Sequence, residues 1–367
     1  MRDVLDGTTR LDGTARLDGT RGAGGTAASF AAAAAAAAAS AASSGADEKC
    51  GSASNDDKVM SAAEAVRRFV LPGSIVGMGG QNINRCPMAL VHEIVRQGVG
   101  GLVLMGCNLS LPADILVAAG LVVRTEQGSG NLERYGTLFA WRRAVERGEI
   151  VVEDHSHLTM VTRFLAGSLG LPFIPTLSLL GSDMAPPADG TPRGSMAAAV
   201  DPWAGQPVVL LRKARPDVSL LHVHAADARG NVIIEGVTSH EIEMAKASAV
   251  TIVTCEELVE DHEVSRRPEQ VSLPSAYVGA VVVQPFGAFP TSVYRRYDFS
   301  EDDIVEYQSV ARAGDADVRR WLDEHVRAVA DFDGFLARRD PAGTVRAELV
   351  STMETITMET ITMETML

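Results

Sequence analysis

The sequence lacks any apolar run approaching the roughly 20 residues needed to span a bilayer, so no membrane segment is expected. Cysteine is scarce: Cys50, Cys86, Cys107 and Cys255 are scattered over 367 residues. They make neither a CxxC pair nor a zinc spacing, which leaves buried free thiols in a reducing compartment as the reading. Positive charge is also short, with 33 Lys and Arg against 47 Asp and Glu and a net charge of −14. Binding nucleic acid needs clustered cations on phosphates, so no nucleic-acid partner is expected. The Ala-rich stretch from Ala27 to Ala42 lacks the leucines and basic start of an export signal, and a cytoplasmic setting is expected.

Both ends are repetitive. From Leu5 to Gly22 the chain reads LDGTTR, LDGTAR, LDGTRG, then passes through poly-Ala into a Ser/Gly/Asp/Lys linker. With almost no large apolar residue, residues 1–58 cannot offset their ordering entropy by burial and read as a disordered low-complexity segment. Met60 stands as an alternative start. Residues 351–367 contain METIT, METIT, METML, a five-residue repeat that suits neither helix nor strand, and read as a tail. The folded body is placed at 59–350.

Within that body short apolar runs alternate with amphipathic ones. Ser74 to Met78, Gly101 to Gly106, Leu121 to Thr125, Val208 to Leu211, Ser219 to His224, Val232 to Ile234 and Val250 to Thr254 read as strands. Ser61 to Val70, Met88 to Gln97, Ala113 to Ala119, Phe139 to Arg147, Leu158 to Leu169, Ser239 to Ser248 and Asp315 to Asp331 read as helices. This rhythm predicts an α/β fold with a mostly parallel sheet flanked by helices.

Five constellations carry possible chemistry. The first is Gly77-Met-Gly79-Gly80-Gln81-Asn-Ile-Asn-Arg85-Cys-Pro87, a loop between a strand and a helix. A dinucleotide fingerprint fails here, because the third glycine should fall at Asn82 and the next strand ends without an acid. Glycines alone point to a tight turn, or to backbone N–H groups brought close to an anion or oxyanion. The second is Asn131-Leu-Glu133-Arg-Tyr135-Gly136: Glu133 is a general base or a solvated loop acid, and residue type alone favours the latter. In the third, Asp154-His155-Ser156-His157, adjacency is poor evidence for a triad and no third remote metal ligand is evident, while Ser156 suits a helix N-cap. Arg163, in the apolar run that follows, must pair, either with a substrate carboxylate or internally. Fourth, His222 and His224 share one strand face and read as core histidines rather than a metal pair. Fifth, Glu256-Glu257 ends a strand, and Gly287-Ala-Phe289-Pro-Thr291 follows.

The stretch from Asp154 to Met184, with LGLPFIPTLSLLGSDM at its end, resembles the A (alpha) subunit of family I CoA-transferases of the glutaconate type. The resemblance runs from about Val59 to Phe335. Gly79, Gly80 and Pro87 fit the family's loop signature, whereas Gln81 replaces a usual Phe, Arg85 a usual Gly and Phe289 a usual His. Glu133 precedes a helix ending Arg143-Ala-Val-Glu146, as in glutaconate-type chains. The resemblance implies the A-subunit fold of a CoA-transferase, working in a hetero-oligomer with a B subunit. It further implies ping-pong transfer of CoA from an acyl-CoA to a carboxylic, and expectedly dicarboxylic, acid. The attacking glutamate belongs to the B subunit in a Glu-Asn-Gly motif, and no Glu-Asn-Gly occurs here. On this resemblance Gly79, Gly80 and Gln81 form the oxyanion loop facing the thioester, Glu133 is catalytic, and Ser110 and Arg163 bind the acceptor. Coenzyme A is a substrate, and neither metal nor other cofactor is implied. Two alternatives stand beside it. One is half of a hydrolase that takes ring-opened steroid-type acyl-CoA, with Glu133 activating water. The other is a non-catalytic CoA-binding subunit.

Overall fold

The computed structural model describes residues 57–366; residues 1–56 of the expected low-complexity segment, Cys50 among them, lie outside these, while Lys58 N–H donates to Ala228 O at 2.8 Å. In chain order, α1 (Ala62–Phe69), β1 (Ile75–Met78), α2 (Met88–Gln97), β2 (Leu102–Leu109), α3 (Leu111–Ala118), β3 (Val122–Gly130), α4 (Phe139–Glu146), β4 (Val151–Asp154) and α5 (His157–Ser168) alternate strictly. A small antiparallel sheet interrupts them, built from β5 (Phe173–Thr176), β6 (Met196–Val200) and β7 (Pro207–Arg212) in the order β5-β7-β6. The main sheet then resumes with β8 (Val218–Asp227), the short β9 (Val232–Ile233), α6 (Glu241–Ala247), β10 (Val250–Val259), α7 (Asp261–Arg266) and β11 (Val278–Val283). Its order is β11-β10-β8-β1-β2-β3-β4, every adjacent pair parallel, with β9 antiparallel on β8. The chain closes with α8 (Glu301–Ala313), α9 (Asp315–Leu322), α10 (Phe332–Arg339) and α11 (Thr344–Met366).

Local chemistry explains the elements. The Ser61 hydroxyl accepts from Glu64 N–H to start α1, and Ser156 and Thr159 cap α5 reciprocally. Gly98, at φ 66°, ends α2 in the left-handed conformation. β8 is buried at every position, as a strand in the middle of a parallel sheet with both faces covered must be. One face packs on α2, α3 and the C-terminal helices through Leu90, Ile94, Leu116, Phe332 and Phe335; the other packs on α5 and α6 through Met160, Phe164 and Met244. Cys86, Cys107 and Cys255 are buried free thiols, and burial pushes their pKa values up to about 11, about 12 and about 12.

Three features depart from the expectation. β4, β5, β6, β11, α7, α8 and α10 were not anticipated. The helix expected over Asp315 to Asp331 stops at Leu322 and continues as a π turn, Asp323–Arg327. The terminal repeat is helical: α11 runs across position 350, with Thr352, Thr355 and Thr357 hydroxyls returned to the carbonyls four residues back. Met and Glu are good helix formers, and that propensity outweighs the absence of a helical period in the repeat. No helix among the described residues is long and apolar enough to cross a membrane.

Candidate active site

In an open parallel sheet the loops at the C-terminal strand ends form the natural crevice. β1 delivers the Gly79-Gly80 loop there. A Cβ at Gly79 would meet Leu220 O at 2.6 Å, and Gly80 sits at φ 83°, so both glycines are required by close packing and turn geometry. Their amides are engaged internally: Gly79 N–H donates to Leu220 O at 2.9 Å, Gly80 N–H to Glu241 Oε1 at 2.9 Å, and Gln81 N–H to Asn84 O at 2.9 Å. All three N–H groups of the expected oxyanion loop, Gly79, Gly80 and Gln81, thus have acceptors within this chain. Glu241 is buried beneath the loop and ion-paired with Arg85. Arg85 also donates to Val237 O at 2.8 Å and His222 O at 3.2 Å. Its φ is 51°, the left-handed region that favours glycine.

Above this buried ion pair lies a cavity of 540 Å³ walled by Gln81, Asn82, Asn84, Glu133, Glu235 to Val237 and Tyr294. Glu133 reaches it from a turn after β3. Its own N–H donates to Asn131 Oδ1 at 2.9 Å, and its carboxylate accepts a hydrogen bond from the Asn82 side-chain amide. Both residues have positive φ, 51° for Glu133 and 54° for Asn82. With Arg85 that makes three non-glycine residues in strained backbone at one site, a concentration that marks functional regions.

The opposite wall is held by His224. Its Nδ1 accepts from Glu235 N–H at 3.1 Å, which leaves Nε2–H to donate to Tyr294 O at 2.9 Å. Burial lowers its pKa to about 4, so the ring is neutral. His222 lies beneath, between Thr254 and Glu256, and Glu256 also accepts from Tyr297 OH and Phe286 N–H. Both histidines are satisfied core residues, as the sequence suggested. The wall residues include two carboxylates and three side-chain amides but no lysine or arginine.

Two expected site residues fall elsewhere. The Ser110 hydroxyl is buried 3.4 Å from Cys86 Sγ, behind the loop and not among the residues walling the cavity. Arg163 is 3% exposed. It contacts Glu126 Oε2 at 2.9 Å and His155 Nε2 at 2.9 Å, and donates to Arg212 O at 3.0 Å. Of the two pairings the sequence left open for Arg163, the internal one is present in this chain. Glu126, Glu153 and His155 bring potential metal ligands within 4.8 Å of one another, a convergence invisible in the sequence because β3 and β4 supply the two acids. Arg124 and Arg163 already contribute two positive charges against this group. Phe289 is buried beside Phe335 and offers no polar function. Asn82, Asn84, Glu235 and Tyr294 were not singled out from the sequence. For Asn82 a signal existed: an asparagine in a glycine-rich loop tolerates the left-handed conformation.

Residues 59–284 match the family model described as Coenzyme A transferase. An uncharacterised protein of Archaeoglobus fulgidus is 38% identical over 283 residues, 76% of this chain and 62% of that protein, so the match spans less than two thirds of that relative. The A subunit of glutaconate CoA-transferase from Acidaminococcus fermentans is 29% identical over 310 residues, 80% of this chain and 95% of that one. The crystal structure of glutaconate coenzyme A-transferase from that organism matches with a TM-score of 0.73 at 29% identity, covering 77% of this chain and 92% of that one. The crystal structure of a variant of the decarboxylase AibA/AibB matches with a TM-score of 0.64 at 32% identity, over 74% of this chain and all of that one.

Proposed function

The chain belongs to the coenzyme A transferase family as an A-type (alpha) subunit, and on that premise we propose that it forms the acceptor half of a cytoplasmic heteromeric CoA-transferase whose nucleophilic glutamate lies on a B subunit. The observation that carries this reading is the Glu133–Asn82 pair at the mouth of the parallel sheet, in a chain that has no Glu-Asn-Gly of its own.

In the proposed reaction the partner's carboxylate attacks the acyl-CoA carbonyl, and the carbon–sulfur bond breaks to give a mixed anhydride and CoA thiolate. The thiolate then attacks the glutamyl carbonyl, releasing the first acid and leaving a glutamyl-CoA thioester. The acceptor carboxylate repeats the two steps in reverse and leaves as the new thioester. Each tetrahedral stage places negative charge on a carbonyl oxygen. With the backbone amides of the loop engaged, the donors for that oxygen are the side-chain amides of Gln81 and Asn82, groups that serve in oxyanion holes elsewhere. Glu133 orients Asn82 by accepting one of its N–H groups. The acceptor is proposed to be a carboxylic acid with a neutral polar far end. A second carboxylate would meet Glu133 and Glu235 on this wall, and Arg163, which was expected to hold it, is buried in its own ion pairs.

Hydrolysis is the second reading, favoured by one feature: Glu133 is an exposed carboxylate in a polar cavity, suited to activating water. A relative that is a decarboxylase supports the scaffold's capacity for other chemistry. Incubating the copurified complex with a panel of acyl-CoAs, with and without acceptor acids, separates the two. New thioester formed only with acceptor supports transfer. Free CoA without acceptor, abolished in Glu133→Ala, supports hydrolysis.

A further inference from the structure

Between the face of the main sheet and the small sheet lies a second cleft of 470 Å³, bounded by Ile75 and Met105 on one side and Gly194 and Ser195 on the other. It shares no lining residue with the Glu133 cavity. Five cations border it. Two of them, Arg124 and Arg163, are matched by Glu126 and Glu153. The other three, Arg212, Lys213 and Arg215, come from the last residue of β7 and the short segment joining it to β8, and none has a side-chain partner among the described residues. In a chain of net charge −14, three cations left without acids around one cleft leave it with a local positive field.

We infer that this cleft binds an anion carrying phosphate groups. The segment is held in place by its backbone. Lys213 N–H donates to Pro172 O at 3.2 Å, Ala214 N–H donates to Arg163 O at 2.9 Å, and Arg212 O accepts from Arg163 Nε at 3.0 Å. The three side chains therefore leave a fixed backbone and are themselves free to close on a ligand. Two guanidinium forks flanking an ammonium suit tetrahedral phosphate oxygens, which they bind in pairs. The volume is within the ordinary range for a small-molecule site and admits a pyrophosphate or a nucleotide. The local acids do not favour a metal ion in its place, because Arg124 and Arg163 already lie against Glu126 and Glu153. The inference is independent of the transfer chemistry proposed above.

Pyrophosphate titrated calorimetrically into the full chain, in complex with any copurifying partner, tests it. Saturable binding is expected, weakening as salt rises. The double variant Arg212→Gln/Arg215→Gln is expected to bind about tenfold more weakly or worse. Its side chains are exposed and make no internal contacts, so folding is not at stake. The double variant Arg319→Gln/Arg338→Gln, at exposed cations on α9 and α10, controls for net charge and is expected to bind as the parent does. No binding of pyrophosphate, or equal binding by parent and double variant, would overturn the assignment. With binding established, the source of the phosphate follows from kinetics. A raised KM for acyl-CoA in the double variant identifies the nucleotide end of coenzyme A, and an unchanged KM identifies a separate phosphorylated ligand.

Discussion

Arg85 and Glu241 form a buried ion pair directly beneath the Gly79-Gly80 loop, and the same Glu241 carboxylate accepts the Gly80 N–H. The pair therefore fixes the floor of the Glu133 cavity. Removing one partner leaves an uncompensated buried charge. Arg85→Ala is expected to cost about 3–5 kcal/mol of folding free energy, and Arg85→Ala/Glu241→Gln less than the two single changes added together. Urea denaturation of the four proteins in the cycle measures both, and strict additivity would count against the coupling.

Glu133 behaves differently because it is exposed and its turn is strained. Glu133→Gln is expected to lower kcat by roughly 10²–10⁴-fold, the range for a positioned acid–base or orienting group, with little change in stability. Glu133→Gly is expected to be at least as stable as the parent, because the φ of 51° costs glycine nothing. Steady-state kinetics beside thermal melts test the pair, and a large loss of stability in Glu133→Gln would argue for a structural role.

Arg163 supplies the converse test. Arg163→Ala is expected to destabilise the fold by about 1–3 kcal/mol, because Glu126 Oε2 loses its partner while Arg124 still holds Oε1, and the KM for the acceptor acid stays near the parent value. A selective rise in acceptor KM with stability intact would restore the substrate-binding role.

Acid sensitivity should begin with four histidines whose burial lowers their pKa: His92, His224, His240 and His325. Burial lowers His92 to about 3 and His224 to about 4, both below the ordinary value of 6.5. The unfolded chain therefore binds protons that the folded chain refuses, and stability falls as pH drops below about 6.5. Asp114 opposes this, since burial raises it to about 6 and the folded state takes up a proton there. Four depressed histidines outweigh one raised carboxylate, so the net expectation is a loss of stability between about pH 6.5 and 4. His92→Phe is the sharper probe. Both ring nitrogens are buried without partners among Phe332 and Phe335, so the variant should gain about 1–3 kcal/mol at pH 7 and flatten the acid limb. Denaturant melts at pH 7 and pH 5 decide it.

What was legible in the sequence follows from what periodicity records. The fully buried β8 and the capped helices α1, α2 and α5 announce themselves through continuous apolar runs, Ser61, Gly98 and Ser156. β4 is short, lies at the sheet edge and is half-exposed, so it has no strong pattern; β5 contains Pro175; β6 is mostly alanine. The Glu133 turn was found, but Asn82, 51 residues away, and Glu235 were brought to it only by the fold. Arg163 shows the limit most plainly. An arginine in an apolar run must pair, yet only β3, lying beside α5, reveals that Glu126 is its partner. Arg85 carries the reverse lesson: it stands where the family resemblance leads one to expect glycine, and the backbone there still holds a glycine-like φ of 51°.

The central claim is that this chain is the half of the enzyme without the nucleophile. Intact-mass analysis tests it most directly. The copurified complex is incubated with acyl-CoA in the absence of acceptor, quenched, and the two chains are weighed separately. The account predicts a CoA adduct, removable by hydroxylamine, on the partner chain and an unchanged mass for this one. A CoA or acyl adduct on this chain, lost in Glu133→Gln, would contradict it.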